Sequence, residues 1–268
     1  MTGKTEVQPK PAATVTLVRD APRGLEVLML QRSHSLKFMP GVYVFPGGAL
    51  DAADSSPEIH SLCAGLEDEA ASLALGVERG GLAYWVAAIR EAFEEAGILL
   101  AYDASGSMVS LNGEAAERYL GHRSSLDEKR GDFGAIVRDE GLRLAADRLT
   151  YFGHWITPAR APRRYDTRFF LAVAPERQEA RHDNYETIAH FWVRPQDALD
   201  LRARETLNMR FPTVRTLERL LDCSTVAELL SVVTSAHQVQ TSQPRVTRDG
   251  RHVLPGDPGY EEAGRVEG

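Results

Sequence analysis

The sequence has little of what marks several classes of protein. It contains only two cysteines, Cys63 and Cys223, too few and too far apart to predict a disulfide framework or a zinc site. No apolar run approaches the roughly 18 residues of a membrane-spanning helix. The polar residues 1–11 lack the apolar segment of a signal peptide. We therefore expect a reducing compartment, with the cytoplasm as the default.

An excess of positive charge is also missing. The 268 residues carry a formal net charge of −7, which argues against general binding to nucleic acid or to an anionic membrane, since both need a basic surface. An anionic small molecule could still bind through a local group of cations. Hydrophobic residues make up 43% and charged residues 26% of the chain, as is typical of a globular protein with a real core.

One stretch, residues 83–98, predicts both a helix and a chemical role. At 3.6 residues per turn, Glu91, Glu94 and Glu95 fall within about 100° of one another, opposite the apolar residues. Gly97 is suited to end the helix. Carboxylates clustered on one turn repel each other, and Mg²⁺ removes that repulsion because it prefers carboxylate oxygens. The alternative is that these glutamates only solvate an amphipathic helix.

The local sequence favours the metal site. Residues 90–98 match the second half of the Nudix box, R-E-U-x-E-E-x-G-U with U aliphatic, at every specified position. Gly48 to Asp54 offers the first half, G-x5-E, with Asp54 where the family has Glu. The family places the arginine shortly after this acid, whereas residues 55–89 lie between Asp54 and Arg90 here. The sequence therefore resembles a Nudix hydrolase with an interrupted box.

That resemblance implies a fold, a cofactor and residue roles. The fold would be an α/β/α sandwich with a mixed β-sheet, and the cofactor Mg²⁺ or Mn²⁺. The candidate metal-binding residues are Glu91, Glu94, Glu95 and Gly48. The candidate catalytic residues are Glu94, Arg90 and Glu186. Glu94 or Glu186 would take a proton from the attacking water, and Arg90 would hold a neighbouring carboxylate.

A second motif lies upstream of the box. Residues 32–48 resemble a signature of coenzyme A diphosphatases within the Nudix superfamily, R-[SA]-x3-R-x3-G-x3-F-P-G-G, except that Lys37 stands where the signature has Arg. Lys keeps the charge but loses the two-pronged geometry of Arg. The alternative is that Arg32 and Lys37 are surface cations beside a turn. The candidate substrate-binding residues of this motif are Arg32, Ser33, Lys37, Phe45 and Gly47.

Three arginines precede or lie within an apolar strand predicted over residues 164–173. Arg164 and Arg168 are four residues apart, and therefore on the same face of a strand. Burying either one unpaired is costly. They would therefore meet an anionic substrate, or pair with an acid such as Asp166, and both interpretations stay open.

The predicted domain organisation has three parts. Residues 1–11 form a flexible arm, and residues 12–200 form the Nudix domain, with an insertion at about 52–82 that is helical over residues 58–75. Residues 201–268 form a helical extension and a hairpin packed on the same domain. Residues 113–141 are mostly helical and carry no evident chemistry. The predicted buried residues of that segment are Leu120, Leu126, Phe133, Ile136 and Val137.

The resemblance implies hydrolysis of coenzyme A or acyl-coenzyme A to 3′,5′-ADP and (acyl) 4′-phosphopantetheine. One alternative is a Nudix pyrophosphatase for ADP-ribose, NADH or a nucleotide sugar, and another is a catalytically silent Nudix-like module that senses a nucleotide. In each case the expected partner is a small-molecule nucleotide diphosphate, with no nucleic acid and no membrane. Homodimers are common in the superfamily, which leaves a homodimer open.

Overall fold

A computed structural model describes residues 7–159, 161–235 and 238–265. The chain starts with a hairpin formed by β1 (Lys10–Ala21) and β2 (Gly24–Arg32). The turn-forming residues 20–24 between two β-rich runs predict it. The remaining strands are β3 (Tyr43–Val44), β4 (Gly47–Ala49), β5 (Ala101–Tyr102), β6 (Arg143–Leu144), β7 (Thr150–Ile156), β8 (Tyr165–Val173), β9 (Thr187–Val193), β10 (Thr241–Ser242), β11 (Arg245–Val246) and β12 (His252–Val253).

The helices flank these strands. They are α1 (Pro57–Ser61), α2 (Asp68–Leu75), α3 (Leu82–Ala96), α4 (Glu114–Asp127), α5 (Phe133–Asp139), α6 (Pro195–Ala203), α7 (Phe211–Arg219), α8 (Val226–Ser235) and α9 (Tyr260–Arg265), with 3₁₀ turns at Ala52–Ser55 and Ala146–Arg148. No helix of the described ranges is both long and apolar enough to cross a membrane.

Eight strands form one mixed sheet, in the order β10-β7-β8-β1-β2-β3, with β4 paired to β1 and β9 paired to β2. β1 runs parallel to β8 and antiparallel to β2 and β4. Residues 12–18 of β1 are buried or half-buried rather than alternating in exposure, because helices cover both faces of the sheet. The first half of β1 therefore lies between the glycines of β4 and the first residues of β8.

Two hydrophobic cores lie on the two sides of the sheet, which confirms the α/β/α sandwich. One packs α1 to α5 against one face and includes Ile89 and Phe93 of α3. The other packs α6, α7 and α8 against the opposite face and includes Leu217 and Leu229. In α3, every residue is buried except Glu91 and Glu94. The helix is thus a buried one with a narrow polar opening, rather than an amphipathic surface helix.

The insertion packs into the first core. Ser56 begins α1, where its hydroxyl accepts from the amide of Ile59 at 3.3 Å, and Pro57 follows at the first helical position. The predicted helix over residues 58–75 is interrupted at residues 62–67, so two helices form. Asp68 then accepts from the amides of Gly80 and Leu82, both at 2.9 Å. These bonds tie the insertion directly to the start of α3.

Several predicted boundaries and buried positions need correction. β1 begins at Lys10, so the last two residues of the predicted arm belong to the sheet, while residues 1–6 lie outside the described part. Leu120 is exposed, because it lies on the outer side of α4. Leu126 is half-buried, and Phe133, Ile136 and Val137 are buried as predicted.

The C-terminal region follows its prediction more closely. The hairpin of β11 and β12 forms. The sequence of residues 225–228 predicts a capping box at the start of α8. Thr225 and Glu228 exchange its two hydrogen bonds, at 3.2 and 3.3 Å. β10 was not predicted; it adds a parallel strand to the edge of the main sheet beside β7.

Candidate active site

The two halves of the interrupted box meet in the folded chain. Arg90 of α3 donates from Nε to Asp54 Oδ1 and from Nη2 to Asp54 Oδ2, both at 2.9 Å. Asp54 is 1% exposed and Arg90 is 6% exposed. This two-pronged pair is the strong form of a charged hydrogen bond. Asp54 therefore takes the place expected for the acid of the first half, and residues 55–89 loop out between the partners.

Arg90 also holds two of the three glutamates, as the sequence predicts. Its Nη1 donates to Glu91 Oε1 at 2.8 Å and to Glu94 Oε2 at 3.0 Å, and its Nη2 donates to Ala49 O at 3.1 Å. Burial lowers the pKa of Arg90, but the hydrogen bond to Asp54 and the charges of the two glutamates outweigh burial and raise it overall. Arg90 is therefore charged and orients carboxylates.

The bend at Pro46 and the first two residues of β4, Gly47 and Gly48, lie beside the glutamates, and we call these three residues the glycine turn. A Cβ on Gly48 would stand 2.5 Å from Glu91 Oε1, so only glycine fits beside this carboxylate without displacing it. The amide of Gly47 donates to Glu95 Oε2 at 3.0 Å. The turn and the helix ridge thus form one contiguous site.

Burial disfavours the charged forms of the three glutamates in this cluster and so raises their pKa values. It raises the pKa of Glu91 to about 7 against the opposing effect of Arg90, and the charge of Glu94 adds to the rise. Burial also raises the pKa of Glu94 despite Arg90. For Glu95, burial and then the charge of Glu91 raise the pKa well above its usual value. A cation among these carboxylates would relieve both the burial cost and the repulsion.

The carboxylate oxygens of the cluster suit a hard divalent ion, although they accept hydrogen bonds from protein groups in this structure. Within the described ranges, no three acidic, histidine or cysteine side chains are arranged to hold a metal as they stand. Arg90 occupies oxygens of Glu91 and Glu94, and the Gly47 amide occupies one of Glu95. Three carboxylates on one ridge beside a glycine turn are nevertheless the ligand type that Mg²⁺ and Mn²⁺ prefer.

Glu186 lies immediately before β9, near the same cluster. Its charge is among those that raise the pKa of Glu95, after burial and Glu91. Asp183 positions this turn by accepting from the amides of Glu186 and Thr187 at 2.7 and 3.0 Å. The sequence carries no signal that marks Asp183 for this role, because an Asp before a strand is a common turn residue.

The predicted substrate loop is only partly directed toward the glutamates. Arg32 Nη1 lies 4.0 Å from Glu95 Oε1, and the buried Nε of Arg32 has no hydrogen-bond partner among the described residues. Ser33 is buried, its hydroxyl paired with that of Ser35 at 2.8 Å, and Lys37 is exposed. Arg32 is therefore the loop cation closest to the acidic cluster.

Phe45 was predicted to contact substrate, and its burial contradicts that. Its ring is 3% exposed and belongs to the core on the sheet face opposite α3. Phe45 instead anchors the strand that leads into the glycine turn.

Arg164 and Arg168 are both buried and are not directed at the glutamates. Arg164 precedes β8 and donates to Thr157 O at 3.2 Å and Val7 O at 2.8 Å. Arg168 Nη1 lies 3.2 Å from Asp166 Oδ1, and its guanidinium lies 5.7 Å from the ring centre of Tyr84. The backbone contacts give Arg164 a structural role. Arg168 has the ion pair with Asp166, but its Nε and Nη1 are buried with no hydrogen-bond partner among the described residues, so the predicted substrate contact stays a prediction for Arg168.

The sequence of residues 113–141 predicts no chemistry, yet one side chain of α4 reaches α3, which carries the candidate metal ligands. Arg123 donates from Nη2 to the carbonyl oxygen of Glu94 at 2.7 Å. An arginine within a polar helical segment carries no signal that separates it from a surface charge.

Comparison with known proteins gives concordant matches. The family model described as the NUDT19 Nudix domain matches residues 3–80 and 67–220. A chicken protein named acyl-coenzyme A diphosphatase NUDT19 is 32% identical over 248 residues, covering 78% of this chain and 64% of that protein. The human protein of the same name is 30% identical over 274 residues, covering 89% of this chain and 73% of its own length. The chain thus spans less than two thirds of the chicken relative.

A solved structure of a Nudix hydrolase has a fold similar to that of this chain. The crystal structure of a NUDIX hydrolase from Alicyclobacillus acidocaldarius superposes with a TM-score of 0.69 at 27% identity. The match covers 87% of this chain and 99% of that one.

Proposed function

Because this chain belongs to the Nudix family, in its NUDT19 branch, we propose that it hydrolyses the diphosphate of coenzyme A or an acyl-coenzyme A. The products would be 3′,5′-ADP and (acyl) 4′-phosphopantetheine. The relatives named acyl-coenzyme A diphosphatase support this substrate class. The observation that carries the proposal is the Asp54–Arg90 pair, which joins the box across its insertion and holds Glu91 and Glu94 beside the glycine turn.

Nudix hydrolases generally use divalent metal cations. In this chain Glu91, Glu94 and Glu95 would hold Mg²⁺ or Mn²⁺, with the backbone of Gly48 close by. When bound, such an ion supplies positive charge that offsets the charge of the diphosphate and orients it. Arg90 orients the carboxylates of Glu91 and Glu94 through its hydrogen bonds to both.

Proton removal falls to a carboxylate of the same cluster. Glu94 is half-buried with a raised pKa and lies on the polar opening of α3. Glu186 is exposed at the start of β9. Either can accept a proton from the attacking water, since a general base must be ionised and within hydrogen-bond reach. The position of Arg32 near Glu95 supports a role in binding a substrate phosphate.

A substrate panel with Mg²⁺ tests the proposal. Coenzyme A, acyl-coenzyme A, ADP-ribose, NADH and UDP-glucose are incubated with the protein, and the products are separated by chromatography. We expect 3′,5′-ADP from the first two substrates. Hydrolysis of ADP-ribose, NADH or UDP-glucose without coenzyme A would replace the substrate assignment by the general pyrophosphatase. No hydrolysis together with nucleotide binding would point to a silent sensing module.

A further inference from the structure

The C-terminal end of α3 lacks the backbone hydrogen bonds that would continue the helix. α3 ends at Ala96, and Gly97 adopts the left-handed conformation with φ 67°. The amide of Ile98 donates to Ala92 O at 3.1 Å instead of to Glu94 O. The last carbonyls of a helix have no partner within it, so groups outside α3 must satisfy the carbonyl of Glu94.

Arg123 of α4 supplies two of the missing donors. Its Nη2 and Nε donate to Glu94 O at 2.7 and 3.1 Å. The side chain is 5% exposed, and its Nη1 fills the space beside Gly97, where a Cβ would stand 2.9 Å away. A guanidinium at this end of a helix is also favoured by the helix dipole.

Two further groups bind the neighbouring carbonyls. The hydroxyl of Thr187 donates to Glu95 O at 3.2 Å, and the amide of Arg181 donates to Ala96 O at 2.8 Å. The last three carbonyls of α3 are therefore held from α4, from β9 and from the segment before β9. We call the Arg123 side chain, the Thr187 hydroxyl and the Arg181 amide the helix-end clamp.

Two of the clamped carbonyls belong to Glu94 and Glu95, the same residues whose side chains form the acidic cluster. We propose that Arg123 is a positioning residue, which fixes the backbone of Glu94 and thereby the approach of the adjacent carboxylates to a divalent cation. This inference rests on the proposed function, because it assumes that the cluster binds a metal. Groups that orient metal ligands without touching the metal typically change affinity by about 10- to 100-fold.

Binding of Mn²⁺ to the full chain without substrate tests the inference. Free Mn²⁺ is measured by its electron paramagnetic resonance signal during titration. We expect Arg123→Met to weaken Mn²⁺ binding by about tenfold or more. Arg123→Lys should recover part of the loss, because one donor and the charge remain. Arg118→Met is the matched control, since Arg118 is on the same helix with an exposed side chain paired to Glu140, and its binding should equal that of the wild type.

Circular dichroism verifies that each variant is folded before titration. Unchanged Mn²⁺ binding in folded Arg123→Met would overturn the inference, as would an equal loss in Arg118→Met. If Arg123→Met does not fold, Arg123→Lys carries the test, because it removes part of the hydrogen bonding to Glu94 O and keeps the charge; unchanged binding in folded Arg123→Lys would again overturn the inference. A wild-type protein that binds Mn²⁺ no better than Glu95→Gln would instead contradict the metal site itself, and so the proposed function.

Discussion

Replacing Asp54 by Asn should weaken the fold where the interrupted box is joined. The carboxylate accepts two hydrogen bonds from Arg90 at 2.9 Å and one from the amide of Asp51 at 2.8 Å. Asn retains the shape, but it loses the charge and presents an NH₂ group where two acceptors are needed. Arg90 keeps its contacts to Glu91 and Glu94, so its own charge stays partly compensated.

The expected loss is large compared with that of an exposed ion pair. Removing one partner of a buried pair costs about 3–5 kcal/mol. Because three acceptors of Arg90 remain, we expect the free energy of unfolding to fall by about 3 kcal/mol. A domain with a stability of about 5–15 kcal/mol would stay folded at 25 °C. Hydrolysis should also decline, because Arg90 would lose the buried partner that fixes its guanidinium while it holds Glu91 and Glu94.

Urea unfolding followed by tryptophan fluorescence measures this effect. A double-mutant cycle with Arg90→Met should give a coupling energy of about 2 kcal/mol, since residues in one network are not additive. Asp51→Asn is the matched control. Its Oδ2 lies 3.8 Å from Arg90 Nη1, but its side chain is 70% exposed, so we expect a change of about 0.5 kcal/mol or less. Equal small effects of Asp54→Asn and Asp51→Asn, with additive cycles, would refute the reasoning.

Three further outcomes follow from the same geometry. Glu94→Gln and Glu95→Gln should each lose most hydrolysis while circular dichroism stays unchanged, because an amide is a poor ligand for a divalent ion; full activity in both would exclude the catalytic assignment. Gly48→Ala should lose hydrolysis, since its methyl group would lie 2.5 Å from Glu91 Oε1, whereas Gly121→Ala, with no atom near the added carbon, should not. In metal-free protein the pKa of Glu91 is raised from 4.5 to about 7, so the folded state binds an additional proton between these values and stability should fall as pH rises through them. Urea unfolding in EDTA should show this slope, and Glu91→Gln should reduce it.

The local sequence pattern was enough to predict those parts of the fold that depend on interactions between residues close together in the chain. The β1–β2 hairpin, the end of α3 at Gly97 and the capping box of α8 all formed as expected. Each depends on side-chain alternation, backbone conformation or a hydrogen bond between residues a few positions apart. The order of acidic residues on α3 was likewise readable, since helical geometry alone puts Glu91, Glu94 and Glu95 on one ridge.

The direction of several side chains was not readable in this way. Phe45 matched a substrate signature but faces the second core. Arg164 and Arg168 looked equally suited to an anion or to structural pairing. In the fold, Arg164 donates to Val7 O, and Arg168 lies beside Asp166 with Nε and Nη1 lacking a hydrogen-bond partner among the described residues. Arg123 carried no signal at all, although it binds the C-terminal end of α3.

Residue identity and helical periodicity are enough to predict the acidic ridge, its glycine stop and the family to which they belong. The contact of Asp54 with Arg90 across residues 55–89 depends on how the chain packs, and so do the contacts of Arg123 and Thr187 with the end of α3. These contacts join residues from 29 to 92 positions apart. Such pairs form only after the sheet and the helices have packed, and no local pattern specifies which distant polar group will satisfy a buried partner.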